Sequence, residues 1–310
     1  MADTDADARW TTSLARDAAN GDRAAVEARL DALVRANRFT IAVVFPTVGA
    51  VLLVASAEGL PQALLSAALA PVGYASVGRE LGRRLAFNPW LVLAGVAVMR
   101  APLLVGVAPL VDRRAAGWLG LLVGYAYAIE FVGIHTGWPY GEFAYGASLG
   151  PTIGGVPVGL PVFFVPLVVN AYLLCLLLLG DRAASPLVRL PVTVGAVVLM
   201  DLALDPGAVS LGFWSYAGGG PYYGVPVSNY LGWVLSATAT VAALDRAFAR
   251  PALLDRLASC EFALDDLVSF VLLWAGVNLW FGNFLPALFA ALLGVGLVRA
   301  DRFDAGALRP

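Results

Sequence analysis

Long apolar runs separated by short polar connections make up most of the chain after residue 38. A run of about 20 apolar residues is the length that an α-helix needs to cross a bilayer. Candidate spans lie at 39–57, 89–111, 115–134, 159–180, 187–205, 228–246, 263–281 and 284–299. The pattern predicts an all-α fold, a polytopic integral membrane helical bundle with about eight transmembrane helices.

The two ends of the chain are polar. In the N-terminal segment, four apolar residues fall at helical spacing: Val26, Leu30, Leu33 and Val34. This spacing predicts an amphipathic helix on the membrane surface or in the cytosol. We therefore expect a polar N-terminal segment at 1–38, a transmembrane catalytic domain at 39–300 and a short C-terminal tail at 301–310.

Arginine placement predicts the orientation of the bundle. Arginines occupy several connections: Arg113/Arg114, Arg182/Arg189, Arg246/Arg250/Arg256 and Arg299/Arg302. The loops 135–158 and 206–227 carry no arginine. Because basic residues favour the cytoplasmic side, both loops are expected to face outward and both termini inward. The apolar segment 61–78, which Pro71 and Gly73 interrupt, must then be interfacial or re-entrant.

The stretch from Asp201 to Trp233 holds the most distinctive polar residues. Asp201 and Asp205 lie four residues apart at the end of an apolar run, so on a helix their side chains share one face. Pro206 and Gly207 are expected to end that helix. Acidic residues are costly inside a membrane and usually mark a functional site.

A second stretch repeats this order of features. Glu130 stands near the end of an apolar run, and a loop rich in Gly, Pro and aromatic residues follows it. Both loops close with Gly-Val-Pro-Val, at 155–158 and 224–227. Coincidence is the alternative in a chain rich in these residues, but the shared order favours an internal repeat.

These features predict one pocket with three carboxyl groups, Glu130, Asp201 and Asp205. We expect substrate-binding aromatic residues from the two loops and polar amides beside them: Trp138, Tyr140, Tyr145, Trp214, Tyr216, Tyr222, Tyr223, Trp233, Asn170 and Asn229. The alternative is that the aromatic residues form an interfacial belt, where Trp and Tyr are common.

Two further residues are candidates for a proton relay. His135 is the only histidine, and its position favours an ordinary loop residue, but it lies near Glu130 in sequence and is kept as a minor candidate for the relay. Arg100 lies in the middle of a span, where it either pairs with an intramembrane acid such as Asp201 or lies near an interface in a shorter span.

Composition excludes several classes of function. Hydrophobic residues make up 60% of the chain and charged residues 14%, which is typical of a polytopic membrane protein. All 20 basic residues are arginine, so a lysine Schiff base and hence a retinylidene protein are excluded. The net charge of −2 predicts no nucleic-acid partner. One histidine and two separated cysteines predict no metal centre.

Carboxyl groups and aromatic rings in a dry pocket suit alkene protonation. A desolvated carboxyl keeps its proton, and aromatic faces stabilise the tertiary cation that protonation of an isopropylidene end group produces. We expect Asp201, one turn deeper than Asp205, to be the general acid, with Glu130 and Asp205 guiding water. Hydration, isomerisation and cyclisation share the first step and stay open at this point. None of them requires a cofactor.

The order of these motifs resembles the CruF-type carotenoid biosynthesis family over roughly residues 37–300. The motifs are Glu130, Gly137-Trp-Pro-Tyr-Gly-Glu-Phe-Ala-Tyr145, Gly-Val-Pro-Val158, Asp201-Leu-Ala-Leu-Asp-Pro206, Trp214-Ser-Tyr216, Tyr-Tyr-Gly-Val-Pro226 and Asn229-Tyr-Leu-Gly-Trp233. The resemblance implies an integral-membrane carotenoid 1′,2′-hydratase. The arginine-only composition and acidic start look like its halophilic archaeal branch, in which bisanhydrobacterioruberin is hydrated to bacterioruberin.

The resemblance also implies the partners and the location. They are a carotenoid within the bilayer of the cell membrane and other membrane enzymes of carotenoid synthesis. Two alternatives remain. A UbiA-type prenyltransferase also uses a DxxxD motif, but it needs magnesium, a second acidic motif and basic residues for the diphosphate. The other alternative is a non-catalytic carotenoid-binding membrane protein.

Overall fold

A computed structural model describes residues 22–301, which form a helical bundle with four short strands at one end. The helices are α1 (Arg23–Ala36), α2 (Phe45–Ala57), α3 (Leu60–Leu69), α4 (Ala75–Leu85), α5 (Pro89–Val107), α6 (Arg113–Thr136), α7 (Leu160–Leu179), α8 (Pro186–Ser210), α9 (Val227–Ala247), α10 (Arg250–Ser259), α11 (Asp265–Trp280) and α12 (Phe284–Arg299). The strands are β1 (Phe143–Tyr145), β2 (Thr152–Ile153), β3 (Val156–Pro157) and β4 (Trp214–Tyr216).

The all-α membrane fold predicted from the sequence is confirmed. Within residues 22–301, six helical segments are long and apolar enough to cross a membrane: Thr40–Ala57, Ala75–Leu110, Arg113–Thr136, Leu160–Ala184, Pro186–Ser210 and Val227–Ala247. The last two of the eight predicted spans are α11 and α12, each of 16 residues, which is shorter than a helix usually needs to cross alone. The chain is therefore a multi-pass membrane protein.

The segment 61–78 contributes to a helical hairpin. Helices α3 and α4 have 10 and 11 residues, so neither is long enough to span a bilayer. They pack backbone to backbone: a Cβ atom added at Gly78 would lie 2.1 Å from the carbonyl oxygen of Leu65. The hairpin is compatible with the predicted interfacial or re-entrant segment, and its depth in the membrane stays a prediction.

The polar ends are described only in part. Helix α1 agrees with the helix predicted in residues 1–38. Residues 1–21 and 302–310 lie outside the described residues, so the proposed limits of the polar segment and of the tail stay predictions.

Helices α6, α7, α8 and α9 enclose the centre of the bundle. Helix α6 packs against α7 and α9, and α8 packs against α7 and α9. Helices α11 and α12 cover the outer side of α8, and α2 packs on α11. The connections α6–α7 and α8–α9 both lie at the end of the bundle that carries the strands, so the prediction that they share one side is confirmed.

Arg100 is buried and forms an ion pair, as one of the two interpretations predicted. Its partner is Asp266, with 2.5 Å between Nη1 and Oδ1, and not Asp201. The amide Nδ2 of Asn170 donates to the other Asp266 oxygen at 2.6 Å. The expectations that Asn170 joins the acidic pocket and that Arg100 serves as a relay there are therefore wrong, because both side chains are bound to Asp266.

Replacing Arg100 by methionine should destabilise the fold. Asp266 is fully buried, and removing one partner of a buried pair typically costs about 3–5 kcal/mol because an uncompensated charge is left behind. Thermal unfolding of the purified protein in detergent measures the loss. Arg83→Gln is the matched control, since that side chain is 73% exposed in its ion pair with Glu80 and exposed pairs contribute about 0–1 kcal/mol. Equal unfolding temperatures for the two variants would contradict the prediction.

Helix α8 continues through Pro206 and Gly207 to Ser210, so the predicted helix end is wrong. Proline has no N–H, which leaves the carbonyl of Leu202 without its helical donor. The hydroxyl of Tyr222 donates to that carbonyl at 3.1 Å. The amide of Asn278 on α11 donates to the next carbonyl, that of Ala203, at 2.7 Å. Side chains of neighbouring elements thus allow the helix to pass the proline.

Candidate functional site

The two aromatic loops meet in a small antiparallel sheet. Strand β1 pairs with β4, and the aligned residues are Phe143 with Tyr216, Ala144 with Ser215 and Tyr145 with Trp214. The amide of Gly146 adds a bond of 2.9 Å to the Phe213 carbonyl. This pairing joins the connection after α6 to the connection after α8, so Glu130 and Asp205 converge on one site.

The sheet supports the internal repeat. A local two-fold axis between Ala144 and Ser215 relates Phe143-Ala-Tyr145 to Trp214-Ser-Tyr216. Both triplets therefore hold an aromatic residue, a small residue and a tyrosine in the same order. In both, the tyrosine hydroxyl donates to the carboxyl of the preceding helix, from Tyr145 to Glu130 and from Tyr216 to Asp205.

The two Gly-Val-Pro-Val motifs also adopt the same local structure. Ile153 pairs with Val156, and Tyr222 pairs with Val225. The turn between each pair has two residues with positive φ, Gly154-Gly155 in the first loop and Tyr223-Gly224 in the second, as a type I′ hairpin requires. The two loops thus share a paired strand, a tyrosine-bound acid and a two-residue hairpin. A chance similarity of composition would not produce these three structural features in both loops.

The site is an aromatic cavity of about 140 Å³ below the β1–β4 sheet. Its polar lining includes Glu130, Asp205 and Asn229. Apolar and aromatic residues form the rest of the wall: Val92, Tyr140, Phe143, Tyr145, Leu149, Pro157, Leu160, Phe163, Phe164, Leu167, Leu204, Phe213, Trp214, Tyr216, Trp233 and Trp274. A mostly apolar cavity with a few convergent polar groups is typical of a small-molecule site.

Glu130 forms the first acidic centre of the cavity. Its Oε1 accepts a hydrogen bond from the hydroxyl of Tyr145. The side chain projects from α6 three residues before Gly133, on the helix face that the Tyr140 and Phe143 rings cover. The carboxyl group is thus held by one tyrosine and faces aromatic rings.

Asp205 forms the second acidic centre and has more donors. Its Oδ2 accepts from the Tyr216 hydroxyl at 2.9 Å and from the Asn229 amide at 2.6 Å. The same amide nitrogen donates to Oδ2 of Asp201 at 2.8 Å. Asp201 is fully buried and does not line the cavity, so it lies behind Asp205 and Asn229. Of the three carboxyl groups predicted for the pocket, Glu130 and Asp205 therefore line the cavity, and Asp201, the predicted general acid, does not.

The tyrosines of the loops remain protonated donors. Burial, together with the nearby Glu130 carboxyl, raises the pKa of Tyr145 above its usual value. Burial and the Asp205 carboxyl raise the pKa of Tyr216 in the same way. Each hydroxyl therefore keeps its proton and donates it in a hydrogen bond to its acid.

Three rings from different elements form one wall of the cavity. Trp233 stacks on Phe164, with ring centroids 5.1 Å apart and planes at 24°. Tyr140 lies 6.2 Å from Trp233, and its hydroxyl is 2.7 Å from the Ser236 hydroxyl. A Cβ atom at Gly232 would lie 2.5 Å from the Tyr140 ring, so glycine at that position lets the ring lie against α9.

Six of the ten aromatic and amide residues predicted for the pocket line the cavity: Tyr140, Tyr145, Trp214, Tyr216, Asn229 and Trp233. Asn170 binds Asp266 instead, and the other three also lie outside the lining. Trp138 is 58% exposed, Tyr222 binds the carbonyl of Leu202, and Tyr223 occupies a hairpin turn. His135 is exposed, and its Nδ1 lies 2.8 Å from the carbonyl of Phe131, so its predicted relay contact with Glu130 is absent.

Several cavity residues were missed in the sequence. Phe143 could have been found, because its triplet matches Trp214-Ser-Tyr216. Trp274 on α11 gives no such signal, since it lies in an apolar run. It reaches the cavity over Gly207, where a Cβ atom would be 2.9 Å from its ring. Gly207 thus provides space for a ring beside Asp205.

The described residues that line the cavity include no basic side chain for a diphosphate. Among the described residues, none of those lining it is an arginine or a histidine. Residues 22–301 also hold no cluster of three or more His, Cys, Asp or Glu side chains arranged to bind a metal ion. The arrangement instead suits proton transfer between carboxyl groups and an apolar molecule.

Comparison with known proteins gives two matches. The sequence model of a family described as "Carotenoid biosynthesis protein" matches residues 87–297. A protein of Haloarcula japonica named bisanhydrobacterioruberin hydratase is 56% identical over 278 residues, which cover 89% of this chain and 88% of the relative. No solved structure shows significant similarity to the chain.

Proposed function

The chain belongs to the carotenoid biosynthesis protein family, and we propose that it is a hydratase that converts bisanhydrobacterioruberin to bacterioruberin. The reaction adds water across the terminal double bonds of the carotenoid. The name of the Haloarcula relative supports this substrate, and the 56% identity extends over most of both chains.

The observation that carries the proposal is a pair of carboxyl groups facing one aromatic cavity. Glu130 and Asp205 come from the two halves of the repeat, and each is held by the tyrosine of its own half. Alkene hydration needs a proton donor and a group that accepts a proton from water. A cavity with two carboxyl groups and no other acid or base among its lining residues fits that requirement.

We assign the general acid to Glu130. Its carboxyl accepts one hydrogen bond, whereas Asp205 accepts two, and hydrogen bonds to a carboxylate favour its charged form. Glu130 donates its proton to the CH carbon of the terminal alkene, whose π electrons form the new C–H bond. The positive charge develops on the dimethyl carbon, where the rings of the cavity wall stabilise it.

We assign the general base to Asp205. A water molecule attacks the tertiary cation through its oxygen, and Asp205 takes one proton from that water. The product carries the added hydrogen on one carbon and the hydroxyl on the other. Transfer of the proton from Asp205 back to Glu130 through solvent restores the starting state, so the cycle consumes only alkene and water.

Isomerisation differs only in the second step, in which a base removes a proton from the cation. The relative's name favours hydration. The prenyltransferase alternative lacks support, because it needs basic residues for a diphosphate and none lines the cavity among the described residues. Non-catalytic pigment binding would not require two acids that are each held by a tyrosine.

We also propose where the enzyme acts and with which partners. The apolar cavity within a multi-pass bundle suits a carotenoid that stays in the bilayer of the cell membrane. If the substrate is bisanhydrobacterioruberin, the same terminal alkene stands at both ends, and the product of one turnover can re-enter by its other end. Association with other membrane enzymes of carotenoid synthesis would pass the polyene on without release into water.

Expression in cells that make bisanhydrobacterioruberin tests the function. We expect extracted pigment to gain the mass of one water per hydrated end, and the gain to persist in membranes treated with a chelator and given no nucleotide or reductant. The control is the empty vector in the same cells. Pigment bound without any mass gain would support the binding protein, and a magnesium requirement would support the prenyltransferase.

A further inference from the structure

Two polar atoms behind Asp205 are buried without a hydrogen-bond partner. They are Oδ1 of Asp201 and the hydroxyl of Tyr230. Asp201 is fully buried, and its Oδ2 is already bound by the Asn229 amide at 2.8 Å. Buried polar atoms are normally satisfied by protein or by ordered water, so these two atoms are candidates for binding ordered water.

The two orphaned atoms lie in the same part of the bundle. Tyr230 directly follows Asn229, which donates to Asp201. On its other side, the Tyr230 ring packs edge-on against Tyr222 at 5.8 Å, and the Tyr222 hydroxyl donates to the carbonyl of Leu202, next to Asp201.

We infer that Asp201 and Tyr230 form a water-binding subsite that supplies the nucleophile to Asp205. The inference rests on the proposed hydration. A hydratase within an apolar bundle consumes one water per turnover, and its cavity wall is largely aromatic. A water held between Asp201 Oδ1 and the Tyr230 hydroxyl would lie beside the base but behind the wall that the carotenoid contacts.

This position separates two requirements of the reaction. The proton donor Glu130 must meet the alkene without bulk water, because water near the aromatic wall would compete with the rings for the cation. The nucleophile must nevertheless reach the cation before the proton is lost again. Asn229 bridges Asp201 and Asp205 through one nitrogen, so the subsite and the base are held at a fixed separation.

The test measures capture of the cation separately from its formation. In D₂O, a substrate that is protonated and then loses H⁺ without capturing water returns with deuterium on the CH carbon of the alkene. Mass spectrometry of the recovered substrate measures this exchange, and the product measures hydration. The full-length protein is used in membranes that contain bisanhydrobacterioruberin.

Tyr230→Phe removes one of the two partners of the water. We expect hydration to fall by about tenfold, the effect of one lost hydrogen bond. The ratio of deuterated substrate to hydrated product should rise. Tyr172→Phe is the matched control, since its hydroxyl binds Asp245, which keeps both of its bonds from Arg189. Unchanged hydration in Tyr230→Phe, or an equal fall in hydration and exchange, would overturn the subsite.

Asp201→Ala keeps the test decisive if Tyr230→Phe does not fold. Alanine removes the other partner of the water, while the Asn229 amide keeps its bond to Oδ2 of Asp205. We expect hydration to fall by about tenfold or more, while the ratio of exchanged substrate to hydrated product rises. Unchanged hydration, or an equal fall in hydration and exchange as loss of a proton donor would give, would overturn the subsite. Absence of hydration in the parent protein would refute the proposed function itself.

Discussion

Replacing Glu130 by glutamine should remove nearly all hydration, a loss of about 10²–10⁴-fold, which is typical when a general acid is deleted. Glutamine nearly preserves the shape of the side chain and still accepts the hydrogen bond from Tyr145. It cannot donate an acidic proton to the alkene. Because no cation forms, deuterium exchange at the alkene carbon should stop together with hydration. Pigment extracted from membranes in D₂O measures both quantities.

Glu142→Gln is the matched control, because Glu142 is an exposed carboxyl in the same loop. We expect it to hydrate at the rate of the parent protein. Retained binding of the carotenoid by Glu130→Gln shows that the cavity is intact. Normal hydration by a well-expressed Glu130→Gln variant would refute the assignment of the acid and would leave Asp205 as the next candidate.

The helical fold and the meeting of the two loops could be predicted from the sequence, because both follow from local patterns. Apolar runs of membrane-spanning length stand between arginine-containing connections. The repeated order of acid, aromatic loop and Gly-Val-Pro-Val predicted that Glu130 and Asp205 share a site. The pairing of β1 with β4 is the physical form of that repeat.

The helix end at Pro206 could not be predicted from local rules. A proline ends a helix when the freed carbonyl has no other donor. Here the donors are Tyr222, 20 residues away along the chain, and Asn278 for the next carbonyl, 75 residues away. Because both contacts are tertiary, the local pattern carries no sign of them.

The position of Asp201 shows a second limit. Two carboxyls four residues apart share a helix face, and the structure agrees, since both accept from the Asn229 amide. The pattern does not tell which of them meets the cavity. Helix α8 continues past its predicted end, and Asp205 lies beside Tyr216. Asp201 lies one turn deeper, behind Asp205. Arg100 is similar: its need for an acid was predictable, but its partner Asp266 is distant in sequence.

Replacing Asp205 by asparagine should reduce hydration by about 10²–10⁴-fold, the usual effect of deleting a general base, but should leave cation formation in place. The amide oxygen can still accept from Tyr216 at the position of Oδ2, so the β1–β4 sheet keeps its anchor. The variant cannot take a proton from water, and the cation instead returns its proton to Glu130.

Asp205→Asn and Glu130→Gln should therefore differ in deuterium exchange although both lose hydration. Asp205→Asn should return substrate labelled at the alkene carbon, and Glu130→Gln should return it unlabelled. Asp255→Asn, an exposed carboxyl on α10, is the control and should behave as the parent protein. If Asp205→Asn loses exchange and Glu130→Gln retains it, the acid and the base are exchanged between the two halves of the repeat. Asp205 would then protonate the alkene, and Glu130 would take the proton from water.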